Sequence, residues 1–332
     1  MRKIWITAII LLSVFILTAC GDKETSGQGE GQEGKLKVYT TVYPLQFFAE
    51  QIGGETVDVS SILPPGSDAH TYEPTTKEMV EMAESDLFIY NGAGLEGYAE
   101  KISQAIEPEG VSILAAANGM DLEESAHTHE GDTHDGASEE ADDHAHEAES
   151  GHEGHNHGEQ DPHVWLDPVR SIEMAENIKD QLVDLNPEEK DRYEENFKEL
   201  EGKLTDLDQS FHDTISSKDK KEIIVSHAAY GYWEEAYGIR QISVSGLSPT
   251  NEPSQKDLEK IVKEAKDHDL RYVIFEQNIT PKVSEIIQKE IGAETLRFHN
   301  LAVLTEEDIE QDEDYFSLMN RNLDVLEKAL TE

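Results

Sequence analysis

The sequence predicts an α/β protein built on parallel sheets, and three observations carry that prediction. Short β-type runs alternate with helical periods along both halves of the chain, the pattern of strands covered by helices. Apolar residues at spacings of three and four run from Tyr193 through Phe197, Leu200, Leu204, Leu207 and Phe211 to Ile215. That spacing predicts one long helix over 187–217, about 45 Å from end to end and able to join two lobes while resisting wide hinge motion. Roughly 260 residues remain once a leader, a tether and a His-rich stretch are set aside, room for two modest α/β domains or one large one.

Taken in order, the chain opens with Arg2 and Lys3, then an apolar stretch from Ile4 to Leu17 that ends in Leu17-Thr18-Ala19-Cys20-Gly21. A membrane span needs about 20 apolar residues, so 1–20 reads as a signal peptide. Small residues before a cysteine resemble the bacterial lipobox, which makes Cys20 a lipidation site. With a single cysteine in the chain, no disulfide braces the fold and no thiolate serves as a metal ligand. Residues 21–34 hold no apolar side chain and form a flexible tether. The folded part is thereby expected on the extracellular face of the cell membrane, held through the lipid anchor only.

An N-terminal α/β lobe over 35–168 follows. Its strands are predicted at Lys35–Val42, Val57–Leu63, Asp86–Tyr90 and Val111–Ala115. Helices are predicted at Leu45–Ile52, Thr76–Glu84 and Leu95–Ile106. The segment 169–217 is helical, with Val169–Leu185 ended by Asn186 and Pro187, where Asn186 is expected to cap the long helix. The remainder, 218–332, repeats the rhythm without repeating the sequence. Strands are predicted at Glu222–Val225, Gln241–Val244, Tyr272–Phe275 and Glu294–Phe298. Helices are predicted at Tyr230–Tyr237, Ser254–His268, Pro281–Ile291 and Tyr315–Leu330. Ligands in such folds sit beyond the carboxyl ends of the strands.

Inside the first lobe, 121–160 carries His127, His129, His134, His144, His146, His152, His155 and His157 among many carboxylates and no Lys or Arg. The segment is too poor in apolar residues to pack a core. Its imidazoles and carboxylates suit loose binding of borderline divalent cations, so these eight histidines are auxiliary metal candidates; a solvated loop with little effect on function is the bland alternative. The net charge of −44 repels nucleic acid and anionic lipid and attracts cations.

Three further histidines sit at turns beside strand ends. His70 lies in 63–74 (LPPGSDAHTYEP), His163 in 161–168 (DPHVWLDP) and His227 in 225–232 (VSHAAYGY). Prolines and glycines that fix a backbone suit a preformed ligand set, although any one of these alone reads as a satisfied structural histidine. His212 and His268 read as ordinary exposed helical residues, and His299 near a strand end is less easily set aside.

The segments TVYPL at 41–45, PPGSDAHTYEPT, DLFIYNGAG at 86–94, DPHVWLDP and SHAAYGYW together resemble the zinc-uptake binding lipoproteins of ABC transporters, of ZnuA/AdcA type. The resemblance covers essentially the whole mature chain, and the His-rich stretch falls where zinc members carry theirs. It implies two pseudo-symmetric α/β lobes joined by one long rigid helix, with the metal in the cleft between them. His70 and His163 would come from the N-terminal lobe and His227 from the C-terminal lobe. It also implies a monomeric extracellular receptor, not an enzyme, that delivers Zn²⁺ to an ABC permease. Manganese-binding relatives place a carboxylate where His227 stands, and three imidazoles suit Zn²⁺ where Mn²⁺ prefers oxygen. One departure is Ala302 in Phe298-His299-Asn300-Leu301-Ala302, where several zinc members have a Glu. The fourth ligand is then a water, Glu276 or a histidine of the insert, with water favoured. A surface adhesin is the alternative reading, and a zinc hydrolase a more remote one: three His plus water is also a catalytic pattern, but no HExxH is present.

Overall fold

The structure, a computed structural model, describes residues 34–123, 160–279 and 281–331. Chain contacts separate Met1–Lys35 from Leu36–Glu332, and the account below concerns the second unit. Cys20, the signal peptide and the eight insert histidines lie outside the described residues.

Two four-stranded parallel sheets form. The first contains β1 (Leu36–Thr40), β2 (Val57–Ser61), β3 (Leu87–Tyr90) and β4 (Ser112–Ala115) in the order β2-β1-β3-β4. The second contains β5 (Glu222–His227), β6 (Arg240–Ser245), β7 (Tyr272–Glu276) and β8 (Glu294–Phe298) in the order β6-β5-β7-β8. The strand order is the same in both, so each sheet reverses direction of growth between its first and third strand, where ligands gather in such folds.

Helices α1 (Tyr43–Gly53), α2 (Thr76–Ala83) and α3 (Ala99–Ile106) accompany the first sheet. Between the sheets run α4 (Pro168–Leu185) and α5 (Lys190–Ser216). The second sheet is followed through α6 (Gly231–Tyr237), α7 (Gln255–Asp267), α8 (Lys282–Ile291), α9 (Glu306–Glu310) and α10 (Tyr315–Thr331). Small cores lie under the outer helices: Met82, Phe88 and Ile102 on one side, Ile261, Val273 and Ile287 on the other. The main core is continuous from one sheet to the other. It joins Val38, Leu87 and Ile89 to Ile223, Val225 and Phe298 through Leu200, Leu204 and Phe211 of α5 and through Tyr315 and Leu318 of α10. Tyr315 of α10 packs against both Phe47 and Phe48 of α1, with ring centroids 5.9 and 5.2 Å away.

The predicted elements are present with shifted ends. The long helix begins with a 3₁₀ turn at Pro187–Glu189, and Asn186 makes no side-chain cap bond, because its φ of −137° and ψ of 72° lie off the extended cap conformation. Its α-helical part of 27 residues is about 40 Å long. The third predicted helix starts at Ala99 instead of Leu95 because 92–98 are occupied by turns around Gly92 and Gly94, both at positive φ. The short α9 was not expected, although Thr305 and Asp308 form a full capping box at its start.

Because one core spans both sheets, they are expected to unfold together. Leu204→Ala, at a site with no solvent exposure, is expected to destabilise the whole chain by about 2–5 kcal/mol. Coincident denaturation curves by far-ultraviolet circular dichroism and tryptophan fluorescence would check it; two separated transitions would contradict a shared core.

Candidate metal centre

His70 sits on the turn after β2, where Gly66 takes φ +72° and Asp68 accepts from the His70 backbone N–H at 3.0 Å and from Thr71 Oγ1 at 3.1 Å. His163 precedes a 3₁₀ turn at Val164–Leu166, its carbonyl accepting from Leu166 N–H at 3.1 Å. His227 is the last residue of β5, a central strand. Three distant segments thus present their rings at one point between the two sheets.

The Nε2 of His163 lies 3.2 Å from Nε2 of His70 and 3.3 Å from Nε2 of His227. Among the described residues, these are the only three potential ligand side chains whose donor atoms all lie within 4.8 Å of one another. A tetrahedral ion with Zn–N bonds near 2.05 Å separates its ligand nitrogens by about 3.3 Å. His163 and His227 are buried at 1% exposure each, and His70 keeps partial access to solvent.

Two carboxylates stand behind the rings. Asp161 Oδ1 pairs with Nδ1 of His163 at 2.7 Å and accepts from the same residue's backbone N–H at 3.0 Å. Glu276, at the end of β7, sets Oε1 against Nδ1 of His227. The β5–β7 register, with Val225 opposite Ile274, brings His227 and Glu276 side by side two residues later. A carboxylate only accepts, so each of these Nδ1 atoms is the donor and each Nε2 is left facing the other rings. Burial, then the two neighbouring imidazoles, push the His70 pKa down from 6.5 to about 2. Burial works to raise Glu276, but the charge of His227 and bonds from His227 and Asn300 outweigh it and hold the carboxyl below its ordinary range.

The Asp161–His163 segment is held from several sides. Asn91 Nδ2 donates to the Pro162 carbonyl at 2.9 Å, and Tyr232 OH donates to the Asp161 carbonyl at 2.7 Å. Asn91 is fixed by the buried Glu96 carboxylate, which accepts from Asn91 N–H at 2.8 Å, Gly92 N–H at 3.1 Å and Thr41 Oγ1 at 2.6 Å. Gly231 is required by close approach: a Cβ there would meet Asp161 Oδ2 at 2.5 Å. Asp161 N–H also donates to the Glu123 carbonyl at 3.1 Å, which ties the two ends of the insert together beside His163. Arg170 reaches the Asp121 carbonyl and pairs with Glu235 at 2.7 Å. Burial and then the Glu235 carboxyl raise Glu123 to about 7.

The other histidines do different things. His299 is buried: its Nδ1 accepts from Leu301 N–H at 3.0 Å, leaving Nε2–H to donate to Asp308 at 3.0 Å, a structural arrangement. His212 packs its ring on Tyr237, and His268, expected to be a plain surface residue, pairs with Glu222. Glu276, one candidate for fourth ligand, is placed behind His227 with Oε2 taken by Asn300 Nδ2 at 2.7 Å. Ala302 is buried at 6% exposure and offers only its carbonyl, which accepts from Tyr43 N–H at 2.9 Å. Sequence reasoning assigned no role to Asp161, Asn91, Glu96, Gly231 or Asn300. The one available signal was an Asp two residues before His163.

Residues 38–329 match the family described as zinc-uptake complex component A, periplasmic. The chain belongs to that family. It is 34% identical over 331 residues to the high-affinity zinc uptake system protein ZnuA of Bacillus subtilis, covering 99% of both chains. It is 33% identical to the zinc-binding lipoprotein AdcA of Streptococcus pneumoniae, covering 99% of this chain but 61% of that longer one. The crystal structure of the Zn(II)-bound ZnuA-like domain of that AdcA superposes with a TM-score of 0.71 at 30% identity, over 90% of this chain and 100% of the other. The family is that of an uptake component, which carries its cargo unchanged, so the hydrolase alternative falls away.

Removing a carboxylate behind a ligand histidine typically lowers metal affinity about 10–100-fold. Asp161→Asn is expected to do so, and Gly231→Ala to act in the same direction by displacing Asp161; competition with a chromophoric chelator measures both. The His70 shift also has a sign. Between pH 6.5 and about 2 the unfolded chain protonates His70 and the folded chain does not, so the metal-free protein loses stability as pH falls through that window and gains nothing above it. His70→Asn is expected to flatten the acid limb of the metal-free melting curve; an unchanged limb would count against the buried neutral ring.

Proposed function

We propose that His70, His163 and His227 are the ligands of one Zn²⁺, and that the protein is an extracellular receptor delivering this ion to an ABC permease. The observation that carries the reading is the pair of Nε2 separations, 3.2 and 3.3 Å, which match tetrahedral zinc with imidazole ligands. Three imidazoles backed by two carboxylates favour Zn²⁺ over the oxygen-seeking Mn²⁺. Water completes the tetrahedron on the His70 side, where solvent reaches the site.

In this reading 1–20 is the signal peptide, Cys20 the lipidated residue and 21–34 the tether that keeps a monomer beside its permease. The insert, rooted at Glu123 and Asp161, collects ions at low affinity within a few residues of His163. The shared core and the long helix oppose a wide opening, so release comes from small lobe shifts or from movement of the His70 turn. An adhesin needs an exposed apolar patch. The exposed large apolar residues among those described, Val80, Val169, Ile286 and Ile309, sit on four different helices, so the described surface lends that alternative less support than the histidine cluster lends the receptor.

With the insert deleted, His70→Ala, His163→Ala and His227→Ala are each expected to abolish tight zinc binding in a titration; undiminished affinity in any of them removes that residue from the site. Growth on limiting zinc tests the insert, whose deletion is expected to slow uptake at the lowest concentrations only.

A further inference from the structure

Asn300, in the turn after β8, touches no ligand histidine, yet it contacts the supports of two of them. We propose that Asn300 is a positioning residue of the metal site, setting the rings of His227 and His163 in register from behind. The proposal rests on the reading of those histidines as ligands.

Toward the second sheet, Asn300 Nδ2 donates to Glu276 Oε2 at 2.7 Å, while the other oxygen of that carboxylate faces His227 Nδ1. A carboxylate pinned at one oxygen cannot rotate away from the imidazole it orients. Toward the first sheet, the Asn300 carbonyl accepts from the Trp165 indole N–H at 2.8 Å. That indole stands edge-on to the His163 ring, with centroids 5.5 Å apart and planes at 61°. One residue therefore braces a ring from each side of the cleft.

Asn300 is itself locked. It is buried at 7% exposure. Its Oδ1 accepts from Ala302 N–H at 3.1 Å, closing an Asx-turn, and from Gln277 Nε2 at 2.8 Å. Its N–H donates to Gln277 Oε1 at 2.9 Å. Gln277 directly follows Glu276, so the pair joins the ends of β7 and β8 at the level of the site. Leu301, inside the turn, is held at φ +58° with its N–H on His299, a conformation that persists only where surrounding bonds over-determine it.

A purely structural role would predict loss of stability alone, and the experiment separates the two. In the full chain, Asn300→Ser keeps a side-chain oxygen for the turn but replaces the amide donor to Glu276 with a shorter hydroxyl. Gln277→Ala loosens Asn300 and spares its bond to Ala302. Asn322→Ala is the control: Asn322 bridges the His299 backbone, accepting from N–H at 2.7 Å and donating to the carbonyl at 2.8 Å, without touching Glu276 or Trp165. The readouts are affinity in the tightest phase of a zinc titration, the d–d absorption of the Co²⁺-loaded site, and the metal-free melting temperature. Asn300→Ser is expected to bind zinc about tenfold more weakly with an altered Co²⁺ spectrum, and Gln277→Ala to move both readouts less in the same direction. Asn322→Ala is expected to lower the melting temperature alone. Parental affinity and spectrum in both Asn300→Ser and Gln277→Ala overturn the proposal, as does an equal change of affinity and spectrum in Asn322→Ala. Failure of the parent chain to bind zinc tightly, or parental affinity in His163→Ala, would instead overturn the ligand assignment.

Discussion

Three imidazoles gathered at one point from distant segments are the constraint around which this molecule is arranged. Asp161 and Glu276 stand against the Nδ1 atoms of His163 and His227, and the Nε2 atoms of those two rings face each other at 3.3 Å. The carboxylates behind the rings set their orientation, and the surrounding fold must keep the rings from turning away.

That task explains the shared core. A protein with two independent lobes would let the rings part. Here separation would expose the residues that link Val38 and Ile89 to Val225 and Phe298 across α5. The polar bonds across the divide add to this, among them Trp233 Nε1 donating to the Leu166 carbonyl at 2.7 Å and Tyr315 OH to the Trp165 carbonyl at 2.8 Å. The His70 turn is the least enclosed of the three ligand segments. It meets the far side through Asn278 Nδ2 donating to the Ser67 carbonyl at 2.9 Å and Gly66 N–H to the Leu304 carbonyl at 2.9 Å. The His70 turn is thus tied across the cleft by two hydrogen bonds where the other two segments are tied by the core.

The strand and helix sequence was legible because each element keeps its own period: β7 is a short apolar run, and α5 holds its apolar residues at threes and fours. The three histidines were legible because Pro and Gly turns at strand ends mark them. What escaped was whatever depends on two distant segments meeting. Gly231 reads as a residue of the predicted helix Tyr230–Tyr237, with no role at the site, until Asp161 is placed against it. Glu276 reads as a possible ligand until β5 and β7 are set in register. Asn186 failed as a cap because local propensity does not fix backbone torsions where two helices pack. Asn300 was noticed only as part of the strand end that leads to Ala302; its four partners, Trp165, Glu276, Gln277 and Ala302, come together only in the fold.

The two sheets share a strand order but not a chemistry, and the difference shows how the site is built. At the switch point of the second sheet, the adjacent ends of β5 and β7 present His227 and Glu276 directly, an imidazole of the cluster and the carboxylate behind it on neighbouring strands. At the corresponding point of the first sheet, the ends of β1 and β3 lead to Thr41 and Asn91. Neither is a ligand; both are gathered by Glu96, and Asn91 then holds the Pro162 carbonyl at 2.9 Å. The first sheet therefore positions His163 through the backbone of another segment, where the second sheet positions His227 through its own strand. A fold doubled in topology yields a site that is set on one side by strand register and on the other by a buried polar network through Glu96 and Asn91.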